Sequence, residues 1–476
     1  MVRRTKIIAT IGPASESEET LRKMVDAGMD VARIGLAHGG LDAAIEKYRR
    51  IRSVSADLGR HLGILVDLPG PKVRAGEFPD GGVLLEENSP IRLTPGNDAS
   101  TPDLVHVDYD TLLDDIVPGD RLAFGDGAVN VEVQEIDGDH LVGIVCHGGS
   151  VQGRPGVHIP SDRLRITAPT PSDLKFVDAF VELGVDIVAL SFVRSAHDIR
   201  RLGVEPAPRG PMIMAKIETR AAVENLRSII EASGSVMVAR GDLGAEFQLE
   251  ELPHLQKQII RDCIALGRPA VTATQMLESM VTSPRPTRAE ASDVANAVFD
   301  GSSAIMLSGE TAIGRDPVNA VETMSRIAER ADQAFDYESW METVEEIRLA
   351  ESSDPGERIT DAMTVAAWRA ARQVQVSAIV CMSRTGFTVR SMARFRPDTQ
   401  ILGFSPNERT VEQLTLSWGV QPMHAKEHVD SNEMVDSALA VARDRGHVRS
   451  GDLVLVLAGS SLKTRATDIL RFAHVP

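Results

Sequence analysis

Apolar residues in this chain fall into two kinds of run that alternate. Residues 7–11, 30–36 and 62–68 are short, nearly continuous apolar segments of strand length; after each of the first two, apolar positions recur every three or four residues, as on the buried face of a helix. Ser15 or Ser17 opens the first helix, with Glu18 and Glu19 in its first turn, and residues 41–58 form the second. No hairpin signal separates these strands, so they predict βα steps and a parallel sheet. From about residue 76 to 167 the pattern changes to short alternating runs, 121–124, 129–133 and 140–145 among them, punctuated by Gly, Asp and Pro; this predicts an all-β insertion. The βα rhythm resumes at Ser172 with a helix over 173–183 and strands over 186–192, 212–216, 235–239, 269–272 and 303–307. Together the early and late strands make the eight of a (β/α)8 TIM barrel interrupted after its third strand.

The pattern fades near Phe335 into an acidic, poorly patterned connector, 336–357. A separate alternating unit then begins at Arg358: helix 360–371, strand 376–382, helix 388–395, strand 400–404, helices 410–418 and 432–445, strand 452–458 and a last strand at 470–474. The expected division is a catalytic barrel of residues 1–75 and 168–340, a β lid of 76–167, and a C-terminal α/β domain of 358–476 for effector binding or oligomerisation.

Composition narrows the function classes. At 476 residues several domains are expected, and 43% hydrophobic with 25% charged residues is ordinary for a soluble protein. A net charge of −17 argues against nucleic acid or an anionic membrane as partner, because both need a basic surface. Cys146, Cys263 and Cys381 are too scattered for a disulfide framework or a metal site, so a reducing cytosol is the expected compartment. The basic start, Met1 to Lys6, is followed by too short an apolar run for a signal peptide, and no run of 18 apolar residues is present.

A barrel of this kind carries its chemistry at the C-terminal ends of its strands. Arg33, Asp67, Lys72, Arg74, Lys216, Glu218, Asp242, Thr274, Ser308 and Glu310 all fall on that rim. Lys216 and Glu218 stand two residues apart and so share one face of an extended strand. The next strand ends in Arg240, a glycine-flanked Asp242 and what reads as a flexible loop. Mg2+ takes one or two carboxylates plus substrate oxygens, and a phosphoryl group in transfer needs fixed positive charge around it. The plain alternative for Lys216 and Glu218 is a structural ion pair; the Gly-Asp segment beside them favours metal-assisted chemistry on a phosphorylated acid. In the last unit, Ser383, Arg384, Thr385, Gly386 and Thr388 place hydroxyls and free N–H groups at a helix start, which suits either an anion or simple capping.

Seven ordered motifs resemble the pyruvate kinase family: Thr5-Lys-Ile-Ile-Ala-Thr-Ile-Gly-Pro-Ala-Ser15, Met29-Asp-Val-Ala-Arg33, Met214-Ala-Lys-Ile-Glu218, Met237-Val-Ala-Arg-Gly-Asp-Leu-Gly244, Ala273-Thr-Gln-Met-Leu-Glu-Ser279, Arg285-Pro-Thr-Arg-Ala-Glu-Ala-Ser-Asp-Val-Ala-Asn-Ala297 and Ile305-Met-Leu-Ser-Gly-Glu-Thr311. The likeness runs from Thr5 to about Ala331, is weaker in the insertion and looser beyond. It implies phosphoryl transfer from phosphoenolpyruvate to ADP, giving pyruvate and ATP, in a cytoplasmic homotetramer. By the same resemblance Lys216 neutralises the transferring group, Glu218 and Asp242 hold Mg2+ (or Mn2+), and the backbone at Arg240, Gly241 and Asp242 with Thr274 orients the substrate carboxylate. Arg33 and Arg74 clamp phosphate; Arg33, His38, Arg74, Asp126 and Arg154 contact nucleotide; Thr274, Ser308 and Glu310 lie where the proton is delivered, with no single donor assigned. The 383–388 loop resembles the family's effector phosphate pocket, although the later loop, Gly459 to Arg465, lacks the glycine-rich form common there.

Departures from the family pattern change one expectation. Gly35-Leu36-Ala37-His38-Gly39 stands where the family usually reads Asn-Phe-Ser-His-Gly, and Asp67-Leu68-Pro69-Gly70-Pro71-Lys72 where it often reads Asp-Thr-Lys-Gly-Pro-Glu. Of the four side chains that ligate K+ in members that use it, only Asp67 survives, and Lys72 replaces a glutamate. An ammonium near Asp67 is therefore the expected surrogate, and activity is expected to be K+-independent. Ile313, where some members carry Lys, is a lesser departure. The rival readings are a Mg-enolate lyase on the same barrel and a regulatory homologue with weak or no turnover.

Overall fold

Eight parallel strands close on themselves: β1 (Lys6–Thr10), β2 (Val31–Gly35), β3 (Gly63–Asp67), β4 (Ile187–Leu190), β5 (Met212–Ile217), β6 (Ser235–Ala239), β7 (Ala270–Ala273) and β8 (Ala304–Leu307), with β1 paired to both β2 and β8. The computed structural model describes residues 3–37, 39–125, 129–351, 354–426, 431–459 and 467–476. Because each strand is buried on both faces, its sequence is a continuous apolar run with no alternation, and β1, β3 and β6 are buried at every position. Ile8, Val31, Leu65, Met214, Met237 and Met306 fill the barrel's interior, while a second layer including Ile51, Phe180 and Val294 seals the strands against the helices. Leu416 from the C-terminal unit belongs to the interior cluster and is fully buried, so that unit stoppers one end of the barrel.

The insertion after β3 is antiparallel in most of its pairings, built on a six-stranded sheet and a two-stranded one, with its own core around Phe78, Leu93, Phe124 and Val131. Its return to the barrel is set locally. Thr170 caps the Pro171–Glu182 helix in a reciprocal box with Asp173, and Pro171 sits in the first turn, where its missing N–H costs nothing. The C-terminal sheet orders its strands Val420–His424, Ile401–Ser405, Ala378–Met382, Leu453–Ala458 and Ile469–His474, parallel except for the last.

Three local expectations give way. The supposed connector holds a helix, Tyr337–Glu351, and Pro355–Val374 begins five residues before the expected helix start. Val420–His424 is a strand that the pattern does not announce. Arg240–Glu246 is a helix with Asp242 in its first turn, where a flexible loop was expected. Tertiary contacts explain the first: Trp340 packs on Gly301 and donates its indole N–H to the Arg394 carbonyl at 3.1 Å. Gly301 has φ 103, and a Cβ there would stand 2.2 Å from the Trp340 ring. Gly301→Ala is therefore expected to cost roughly 2–4 kcal/mol through overpacking and backbone strain. A clear fall in the thermal unfolding midpoint checks it; an unchanged midpoint would show that Trp340 moves aside freely.

Candidate active site

Strand alternation brings Lys216, near the end of β5, and Glu218, just beyond it, to one face of the rim. The Lys216 Nζ lies 2.7 Å from Glu218 Oε1 and 3.4 Å from Asp67 Oδ1 at the end of β3, and it donates to Ser191 Oγ at 2.7 Å. Asp67 Oδ2 accepts from Arg33 Nε at 2.7 Å, and Arg33 Nη1 donates to Thr10 Oγ1 at 2.8 Å. The parallel register sets Arg33 opposite Thr10, so the arginine is braced from the neighbouring strand. The Glu218 and Asp67 carboxylates are almost fully buried, at 1% and 3% exposure.

Burial opposes charge on Lys216, but Asp67, Glu218 and Asp242 outweigh it and hold the ammonium's pKa above its ordinary value. Asp67 is likewise penalised by burial, yet Lys216 and Arg33 bring its pKa below the usual range. Glu218 moves the other way: burial, with a contribution from Asp242, raises it despite Lys216. Its Oε2 accepts the Phe192 N–H at 2.6 Å, and Phe192 sits in the left-handed region at φ 54. Its Oε1, although beside Lys216, is buried without an aligned hydrogen-bond partner.

Asp242 accepts no hydrogen bond among the described residues and lines a cleft of about 730 Å3 with Gly241, Thr219 and Phe192 from the barrel and Gly156 and His158 from the lid. One buried, underused carboxylate oxygen and one cleft-facing carboxylate suit a divalent ion that completes its shell with substrate oxygens. Among the described residues no set of three or more His, Cys, Asp and Glu side chains could hold a metal alone, so the donor set fits such a shared site and no closed one. The Gly241 N–H is already taken by Thr274 Oγ1 at 2.9 Å, and Thr274 is held at φ 66.

Several expected site residues turn out to be structural at their side chains. The Arg240 guanidinium grips Asp293 at 2.7 Å and the Ala273 and Thr274 carbonyls at 3.2 and 2.6 Å, fixing the bend that carries Thr274. Glu310 is buried and accepts the Leu277 and Ser308 N–H groups at 3.0 and 2.6 Å, so its carboxylate shapes the rim at both of those backbone positions. Lys72 is not beside Asp67: it is exposed, with its side chain end against Gly156 on the cleft wall, while Asp67 is taken up by Arg33 and Lys216. Arg74 donates to the Arg154 carbonyl at 3.2 Å, and Arg154 to Asn97 and Asp108 at 3.0 and 3.3 Å, at the base of the lid. His38 and Asp126 lie outside the described residues.

Sequence reasoning missed Ser191, Thr10 and the Phe192 N–H as partners of the charged centre. Ser191 follows β4 directly, so the rule that polar residues ending an apolar strand face the rim would have found it. A lid contact was also missed: His158 Nε2 lies 3.1 Å from Glu246 Oε1, and Ser161 donates its N–H and hydroxyl to the same carboxylate at 2.9 and 3.0 Å. In the C-terminal unit, Gly386 adopts φ 76 as the cap of the Phe387–Arg394 helix, and Thr388 Oγ1 pairs with Thr467 Oγ1 at 2.8 Å. Arg384 and Thr385 are exposed, Ser383 is half-buried, and residues 460–466 are outside those described.

A closed barrel that gathers a lysine and buried carboxylates at the C-terminal ends of its strands, beneath a β lid, has the architecture of a TIM-barrel enzyme. The pyruvate kinase barrel-domain model matches residues 2–321, and the pyruvate kinase alpha/beta-domain model matches residues 361–472. Similar curated proteins include the pyruvate kinases of Bacillus licheniformis, 39% identical over 99% of this chain and 80% of its own length, and Geobacillus stearothermophilus, 38% identical over 100% and 80%. A crystal structure of a pyruvate kinase from Cryptosporidium parvum superposes with a TM-score of 0.88 at 31% identity, covering 100% of this chain and 96% of that one. The chain belongs to the pyruvate kinase family. Among the described residues no helix is long and apolar enough to cross a membrane.

Proposed function

We propose that this chain transfers a phosphoryl group from phosphoenolpyruvate to ADP with Mg2+ (or Mn2+), giving pyruvate and ATP. The observation that carries the reading is the convergence of Glu218 and Asp67 within 3.4 Å of the Lys216 ammonium, next to the cleft that Asp242 lines. When bound, the divalent ion supplies a Lewis acid that draws charge from substrate oxygens. Lys216, kept protonated by its acidic neighbours, places a fixed positive charge where the phosphoryl group departs. Glu218 and Asp242 offer the carboxylate ligands. Arg33, braced by Thr10 and Asp67, presents its remaining donors to phosphate. Thr274 is fixed by its bonds to Gly241 and the Ala273 carbonyl, so its hydroxyl is positioned before substrate arrives. The lid closes the cleft and keeps water from the transferring group.

Turnover in this reading is K+-independent. Asp67, the surviving member of the four K+-ligating positions, already has both oxygens matched by Arg33 and Lys216. The cation that K+ would bring is supplied on the cleft wall by Lys72, facing the bound polyanion and not Asp67. A lactate-dehydrogenase-coupled assay with phosphoenolpyruvate and ADP tests both parts. Turnover is expected to require Mg2+ or Mn2+ and to be alike in Na+, K+ and a large organic cation at matched ionic strength. Stimulation by K+ of about tenfold, or ~1.4 kcal/mol of activation barrier, would overturn the second part; ligand binding without turnover would favour the regulatory homologue. The family resemblance also supports a homotetramer in the cytoplasm and an effector phosphate at the exposed 383–388 loop, for which a sedimentation run and a sugar-phosphate thermal screen are the checks.

A further inference from the structure

Where the barrel meets the C-terminal unit, the loop before β7 faces the Phe387–Arg394 helix across a small cavity. Arg268, Arg390, Arg394 and Arg396 line it, and no carboxylate does among the described residues. In a chain of net charge −17 this is a marked local excess of cations. Arg396 is accounted for: it donates to the Val298 and Ser302 carbonyls at 3.0 and 2.7 Å and lies 4.9 Å from the ring centres of Phe335, Trp340 and Trp418. Arg268 donates to the Ile230 and Glu231 carbonyls.

The other donors are the informative ones. Arg390 Nη1, Arg394 Nε, Ser417 Oγ and Trp418 Nε1 are all buried and meet no hydrogen-bond partner, and all four residues line this one cavity. Ser417 and Trp418 are 2% exposed, and the Arg394 side chain 8%. Arg390 and Arg394 stand one helical turn apart, which brings them to the same side of their helix. Asp361 pairs with Arg394 through Nη2 and, with Glu357, also pairs with Arg348, so Arg394 is balanced on that side while its Nε keeps no partner. Burial lowers the pKa values of Arg390, Arg394 and Arg396 to about 10, which leaves all three charged at neutral pH. Buried polar groups in folded proteins are nearly always satisfied, and four orphaned donors on residues that line one space call for an acceptor-only partner.

We propose that this cavity binds a small phosphate-type oxyanion, either inorganic phosphate or the phosphate of a small monoester. Tetrahedral oxygens accept from guanidinium, hydroxyl and indole N–H together, and the Trp340 and Trp418 rings offer an apolar wall to a short organic tail. The site adjoins the 383–388 loop: Arg390, which lines the cavity, donates from Nη2 to the Thr385 carbonyl at 2.8 Å and has its Nη1 beside Gly386, while Arg394, Ser417 and Trp418 stand clear of that loop in sequence. It binds whether or not the chain turns over substrate.

Two of the three tryptophans line the cavity, so tryptophan emission of the full-length protein reads it directly. Titration with inorganic phosphate, and separately with glycerol 3-phosphate, at constant ionic strength is expected to give a saturable change. Arg390→Gln is expected to weaken it at least ~10-fold, the loss of a charge-assisted donor; Arg384→Ala, at the exposed loop, leaves it unchanged. Should Arg390→Gln fail to fold by circular dichroism, Ser417→Ala, which removes one donor and no charge, is expected to weaken binding several-fold. Tighter binding of glycerol 3-phosphate assigns the monoester, equal or weaker binding the free ion. No saturable change with either ligand, or a change lost with Arg384→Ala and kept with Arg390→Gln, overturns the proposal.

Discussion

Lys216→Met is expected to lower kcat by roughly 10^3–10^5-fold, the range that loss of a transition-state cation costs in phosphoryl transfer. The ammonium is held protonated by Asp67, Glu218 and Asp242, so its charge is present throughout the pH range in which the protein is folded and active. Methionine keeps the length of the stem and removes only the charge. It leaves Glu218 and Asp67 without their shared cation, but Arg33 still holds Asp67, and Glu218, already raised by burial, takes up a proton. A lower melting temperature with an intact fold is therefore the accompanying result. Steady-state kinetics with circular dichroism on the same preparation would decide the matter, and a kcat within tenfold of the parent would remove Lys216 from the phosphoryl position.

Glu218→Gln has the second largest expected effect, and on a different axis. The amide can still accept the Phe192 N–H, which preserves the backbone bend at φ 54. It cannot serve as an anionic ligand. The concentration of Mg2+ for half-maximal rate should rise by at least the ~10–100-fold that loss of a mere outer-shell partner costs elsewhere. Excess Mg2+ should restore part of the rate, because Asp242 and the substrate oxygens still bind. An unchanged metal requirement in a folded variant would show that the divalent ion sits away from Glu218.

Whether a residue's role could be read from sequence depended on how far its partners lie along the chain. Lys216 and Glu218 are legible because strand alternation alone puts them together, and the eight barrel strands because burial on both faces makes each a continuous apolar run. Arg240 and Glu310 were not, since nothing local says that one grips Asp293, 53 residues on, or that the other spends both oxygens on backbone N–H groups. Lys72 shows the same limit: its position in a motif does not reveal that its side-chain end lies beside Gly156 while Arg33 and Lys216 pair with Asp67. The Tyr337–Glu351 helix was hidden because its place is dictated by Gly301 and Arg394, and its own apolar spacing is weak. Arg240–Glu246 read as a loop because two glycines in seven residues lower helix propensity, which the anchoring of Arg240 overrides.

The carboxylate of Glu246, met by His158 and Ser161 from the insertion, closes the same seven-residue helix that carries Asp242 in its first turn. Residues four apart on a helix move as one rigid lever. A shift of the roof is thus expected to reach the acidic group at the floor, and whatever immobilises that group is expected to brace the roof. In the proposed enzyme, opening the enclosure and loosening its grip on the contents would then be a single mechanical event.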